Sequence, residues 1–120
     1  MSDIVVTTPK NRMAEAAAEA EAVEHGDAKY YFRDYRKPPP VSPDDRVYYV
    51  EDGFVRGFCL AAGVLAHRNG THRMYMHAKT WKWIKPIPMK GFQNWRYAPW
   101  GRGAVQIVGN WLDPKPEIAA

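Results

Sequence analysis

From Gly53 to Leu112 the sequence contains no aspartate or glutamate. General acid–base pairs and glycosidase-type dyads are built on carboxylates, so that stretch cannot supply such chemistry by itself. Cysteine is nearly absent as well. Cys59 stands alone, which excludes an internal disulfide and a cysteine zinc cage. It lies in an apolar run, where a thiol is inert core material. No apolar run approaches the roughly 18 residues of a membrane span, and the N-terminus lacks the basic-then-apolar order of a signal peptide. No glycine loop of the P-loop or dinucleotide type occurs. These absences describe a soluble, cytoplasmic protein with no membrane contact, and at 120 residues there is room for one domain.

What fills the acid-free stretch is positive charge and aromatic rings. It holds nine basic residues: Arg56, Arg68, Arg73, Lys79, Lys82, Lys85, Lys90, Arg96 and Arg102. All five tryptophans (Trp81, Trp83, Trp95, Trp100, Trp111) lie there, with His67, His72 and His77. The net charge of +4 hides an acidic N-terminal segment set against this block. Such asymmetry bears on partners and points to a polyanion. Lysine and arginine neutralise phosphates, and aromatic faces stack unpaired bases at about 1–3 kcal/mol each. Two clusters qualify as a nucleic-acid-binding surface, RNA or single-stranded DNA. Tyr75, His77, Lys79, Trp81, Lys82, Trp83 and Lys85 form the first; Lys90, Trp95, Arg96, Tyr97, Trp100 and Arg102 form the second. In so small a domain some of these rings must be core, and Trp111 with one of Trp81 or Trp83 is expected there.

Metal and enzyme chemistry have less support. The three histidines recur every five residues, a spacing that fits neither a helix face nor one face of a strand. No metal, no cofactor and no catalytic residue is expected. One arrangement remains conceivable, a Lys79–Thr80 pair with Glu51 as an activated hydroxyl nucleophile.

Along the chain, residues 1–28 read as a flexible acidic arm. Its Ala/Glu-rich part over 13–24 is helical by propensity but too apolar-poor to be stable alone. The arm is either a solubilising appendage or a cover for the basic block. Residues 29–45 read as an aromatic, proline-rich connector ending in Pro38-Pro39-Pro40. Strands begin at Arg46. Asp52-Gly53 is a type I′ hairpin signal, and Asn69-Gly70 is a second turn. In Met74–Ala78 the alternation sends Met74, Met76 and Ala78 inward and Tyr75, His77 and Lys79 outward. Continued in phase, it would put Trp81 and Trp83 outward too; a short helix ahead of Pro86 is the other option. Short strands follow at Phe92–Tyr97 and Ala104–Gly109, and 113–120 is a tail. The fold class is mainly β: a small, partly closed antiparallel barrel over residues 46–112, with the N-terminal helix appended.

The runs RVYYVEDGFVRGF and RMYMHAKTWKWIKPIPMKG resemble the small PUA-like domains of the ASCH and EVE types, over roughly Arg46–Trp111. The resemblance implies a pseudo-barrel that binds RNA or modified bases in a cleft drawn from Tyr48–Gly57, Met74–Trp83 and Gln93–Tyr97. Some such domains are small amidohydrolases. The ASCH Gly-x-Lys-x-x-Thr motif is missing here, so that activity is not carried over. The short chain and acidic arm are also similar in style to phage or mobile-element accessory proteins. Three functions therefore stand in order: non-enzymatic nucleic-acid binding; a protein-interaction or inhibitor module directed at a nucleic-acid-processing enzyme; and a small hydrolase on a modified nucleoside.

Overall fold

The structure, a computed structural model, describes residues 2–8 and 29–118. The helix expected over 13–24 lies outside the described residues. Among the described residues seven strands form one sheet: β1 Ile4–Thr7, β2 Tyr30–Tyr35, β3 Arg46–Glu51, β4 Phe54–Ala66, β5 His72–Pro88, β6 Trp95–Tyr97 and β7 Ile107–Asn110. Their order is β2-β5-β4-β3-β1-β6, with β7 paired to β5 beyond the end of β2. All pairings are antiparallel except β1 with β3.

Two boundaries expected from the sequence are corrected. The domain does not begin at Arg46, because Ile4–Thr7 is an inner strand between β3 and β6. Ile4, Val5 and Val6 are all buried. Ile4 and Val6 join one apolar cluster and Val5 the other, on opposite faces of the sheet. A strand covered on both faces needs no polar alternation, so three β-branched residues suffice. Each contributes roughly 1.5–3 kcal/mol of burial. Nor is the segment before the prolines merely a connector. Tyr30–Tyr35 pairs with His72–His77, turning Tyr31, Arg33 and Tyr35 inward and Tyr30, Phe32 and Asp34 outward.

The hairpin at Asp52-Gly53 is as expected, with φ of 49° and 84° at the two turn residues. In β5 the even residues Met74, Met76 and Ala78 are buried. Beyond them the register with β4 jumps: Leu60 faces His77, but Phe58 faces Lys82. Two steps on β4 thus match five on β5, leaving Ala78–Trp81 as a wide bulge. Thr80 clamps it. Its hydroxyl donates to the His77 carbonyl (2.5 Å) and accepts from the Leu60 N–H (2.9 Å). Pro86 falls at a second register shift, where a missing N–H does no harm.

The sheet curls until its end strands, β2 and β6, approach each other. Among the described residues no backbone ladder joins them. Side chains bridge the seam: the Arg33 guanidinium donates to the Thr7 carbonyl (3.1 Å) and the Thr8 hydroxyl (3.2 Å). On the same seam the Trp95 indole N–H donates to the Lys37 carbonyl (3.1 Å). The result is a partly closed barrel. Its interior cluster includes Val6, Val47, Tyr49, Cys59, Met74 and Met76.

Candidate nucleic-acid interface

The basic residues of the acid-free stretch divide into those with structural partners and those without. Arg73 forms a two-pronged ion pair with Asp34 (2.7 and 2.9 Å), and Arg102 does the same with Asp3 (2.9 and 2.9 Å). Both carboxylates come from outside the stretch. The Arg73 hydrogen bond holds the Asp34 carboxyl below its ordinary range, against a smaller effect of burial. Burial acts to raise the pKa of Asp3, but the Arg102 side chain and the Arg46 N–H (2.8 Å) outweigh it, and the net shift is downward. Arg56 is buried and donates to the Pro116 carbonyl in the tail. Fold-making thus engages three of the block's arginines.

Of the stretch's remaining cations Arg96 lies at the seam, where Arg36 and Lys37 join it from outside the stretch. Asn94, in the left-handed region at φ 63°, turns the chain into β6. β6 then places Trp95 and Tyr97 on one side, with Arg36 and Lys37 arriving from the end of β2. Together with Gln93, Asn94 and Arg96 they line a groove of about 530 Å³. The two rings meet edge-on, with centroids 5.4 Å apart and planes at 88°. Trp95 is pinned by its bond to Lys37, whose ammonium lies 5.1 Å from the indole centroid. Tyr97 is 60% exposed. Arg96 lies over the Phe92 ring at 4.4 Å. Among the described residues, no carboxylate pairs with Arg36, Lys37 or Arg96.

Tyr97 also forms one wall of a second depression, about 360 Å³, with Ser2, Asp3, Ala98, Trp100, Gly101 and Arg102. Trp100 packs edge-on against buried Tyr48 at 5.2 Å. Its indole N–H is buried without a hydrogen-bond partner among the described residues. The second sequence cluster is therefore largely assembled here, Lys90 excepted, which lines neither depression.

The first cluster is split by the bulge. Tyr75 and His77 stay on the outer face, where Tyr30 meets them at 6.2 and 5.5 Å. Past Thr80 the phase is inverted, so Trp81 turns toward the interior instead of joining them. It packs edge-on to Tyr49 at 5.5 Å and lies across Gly57. Trp83 lies beside it at 5.1 Å and donates its N–H to the Asp113 carbonyl (3.1 Å). Lys79 sits 5.5 Å from the centroid of Trp111, a half-buried ring outside both apolar clusters rather than the core residue expected. Lys82 is half-buried opposite Phe58, and Lys85 is exposed. The conceivable Lys79–Thr80–Glu51 nucleophile is not assembled, since Thr80 is spent on the bulge and Glu51 binds Lys115 at 2.6 Å. Cys59 is fully buried and burial pushes its thiol pKa up. Among the described residues no group of three His, Cys, Asp or Glu could hold a metal ion, and no helix is long and apolar enough to cross a membrane.

Arg36 and Lys37 were missed by sequence reasoning. The signal was present in the pairing of a basic dipeptide with an aromatic strand YYFRDY, but only barrel closure brings it to Trp95.

No known family profile matches the sequence, and neither does any curated protein. Among solved structures, the fold matches an ASCH protein of Zymomonas mobilis, crystallised as a tyrosine-to-phenylalanine variant. The TM-score is 0.50 at 12% identity, over 82% of this chain and 91% of that one. At that identity the likeness is one of fold alone.

Proposed function

We propose that this ASCH/PUA-like chain binds single-stranded or base-modified nucleic acid, without catalysis, in the groove at the barrel seam. The observation that carries the reading is the composition of that groove. Two rings held at right angles, one of them widely exposed, stand among three cations that have no carboxylate partner among the described residues. Tyr97 offers a stacking face for a base, and Arg36, Lys37 and Arg96 offer phosphate contacts. The Lys37 ammonium, now over Trp95, is free to swing to a phosphate because its hold on Trp95 is through the main-chain carbonyl. The nearby carboxylate Asp3 is held by Arg102 and the Arg46 N–H and is not poised as a general acid. A general acid needs a raised pKa, and Asp3 is shifted the other way.

One observation favours the second reading, a protein-interaction surface. The outer face of β2 and the adjoining strands exposes Tyr30 (49%), Phe32 (51%) and Leu65 (63%). Salt separates the two, because phosphate contacts weaken steeply with ionic strength and an aromatic protein interface does not. The direct experiment is anisotropy titration of labelled single- and double-stranded RNA and DNA. Single strands should bind, and Tyr97→Ala should cost about 1–3 kcal/mol. If no oligonucleotide binds at low salt, the reading is wrong.

A further inference from the structure

We infer that the seam groove and the smaller pocket beside it are consecutive subsites for neighbouring nucleotides of one unpaired strand, divided by Tyr97. The inference rests on the nucleic-acid reading of the groove and adds its minimum ligand. Tyr97 lines both depressions and is the most exposed ring on the seam. Its backbone is fixed, since it is paired with Ile4 and followed by an Ala98 N–H bonded to the Asp3 carbonyl (3.0 Å). Its ring packs edge-on against Trp95 and so stands as a partition.

The two sides differ in charge. The groove carries Arg36, Lys37 and Arg96, and suits phosphates. In the pocket the Arg102 charge is cancelled by Asp3, and a carboxylate at the rim repels phosphate. A neutral base suits it better. Arg102 retains N–H donors beyond those given to Asp3 and the Asp44 carbonyl, and these can serve the acceptors of a base. Successive bases in a duplex are stacked about 3.4 Å apart, so a ring can separate them only after unstacking. An already unpaired strand avoids most of that cost. The ligand is thus a single strand of at least two nucleotides.

The test uses the full chain and intrinsic tryptophan fluorescence, titrated with uridine 5′-monophosphate, the dinucleotide pUpU, and two dinucleotides of equal charge, each abasic at one position. The expected result is that removing either base weakens binding roughly tenfold, the fold-change of one lost stack. Tyr97→Ala should abolish that difference between intact and abasic ligands, and Tyr97→Phe should keep it. If intact and abasic dinucleotides bind alike while a longer oligonucleotide still binds in the groove, the two-subsite inference falls alone. If nothing binds, the underlying reading falls with it.

Discussion

Replacing Gly57 with alanine should be among the most damaging single-methyl changes available in this domain. A Cβ at position 57 would stand 2.4 Å from the Lys82 carbonyl oxygen, and 2.4 and 2.8 Å from two atoms of the Trp81 ring. Carbon atoms pack at about 3.5–4.0 Å, so each obstruction must retreat by about 1 Å. The ring cannot do so freely, because it is wedged edge-on against Tyr49 on one side and Trp83 on the other. The carbonyl is held harder still. Lys82 is paired with Phe58 of β4 and with Asn110 of β7. Overpacking costs about 1–3 kcal/mol where neighbours can yield, and here one neighbour is main chain paired on both edges. We expect about 3 kcal/mol, a large share of a total stability on the order of 5–15 kcal/mol. Urea unfolding followed by tryptophan fluorescence reads it as a fall in midpoint. Repeating Gly57→Ala in a Trp81→Ala background removes the ring clash only, so most of the cost should persist. A loss below about 0.5 kcal/mol in the wild-type background would show that Trp81 does not lie across Gly57, and the bulge assignment would fail with it.

Thr80→Val keeps the shape of the side chain but strips the clamp from the bulge. The Leu60 N–H loses its acceptor, and unfolding should reveal a loss of about 1–3 kcal/mol. Asp3→Asn should cost about 1–2 kcal/mol at neutral pH by weakening the Arg102 pair. Because the Asp3 pKa is lowered on folding, its contribution is complete above the unfolded-state pKa of about 3.9 and vanishes as pH falls through the lower folded value. The wild type should therefore lose stability more steeply than Asp3→Asn below about pH 4, as chemical denaturation at stepped pH would record. Trp83→Ala should lower stability through the tail contact at Asp113 while leaving oligonucleotide affinity within twofold, measured by anisotropy.

Local chemistry made part of this fold legible in the sequence. Asp52-Gly53 takes positive φ with little cost, so the hairpin can be read from two letters, and the Met74/Met76/Ala78 phase follows from alternation alone. β1 was not legible because Ile4-Val5-Val6 is too short to show a period, and a strand covered on both faces shows none. Tyr30–Tyr35 does alternate, but with an inward arginine that reaches Thr7 and Thr8 across the seam. Inward charge is a feature of edge strands, and in a linear reading it resembles a charged connector. The phase of Trp81 and Trp83 depended on one hydroxyl. Without the Thr80 clamp nothing in AKTWKWIK announces three extra residues. The candidate site is half legible for the same reason. Trp95, Arg96 and Tyr97 are contiguous, whereas Arg36 and Lys37 join them only when the sheet's two ends meet.

The central claim, that the seam groove holds nucleic-acid phosphates, is tested most directly by salt dependence. The measurement is the affinity for one single-stranded oligonucleotide across a series of salt concentrations, for the wild type and an Arg36→Ala, Lys37→Ala double variant. Trp95 keeps its bond to the position-37 carbonyl in that variant, so the groove's shape is preserved. Two lost phosphate contacts should reduce the slope of log affinity against log salt by about 1.4, from roughly 0.7 per charge on a single strand. An unchanged slope with intact binding would place the phosphates elsewhere and contradict the account.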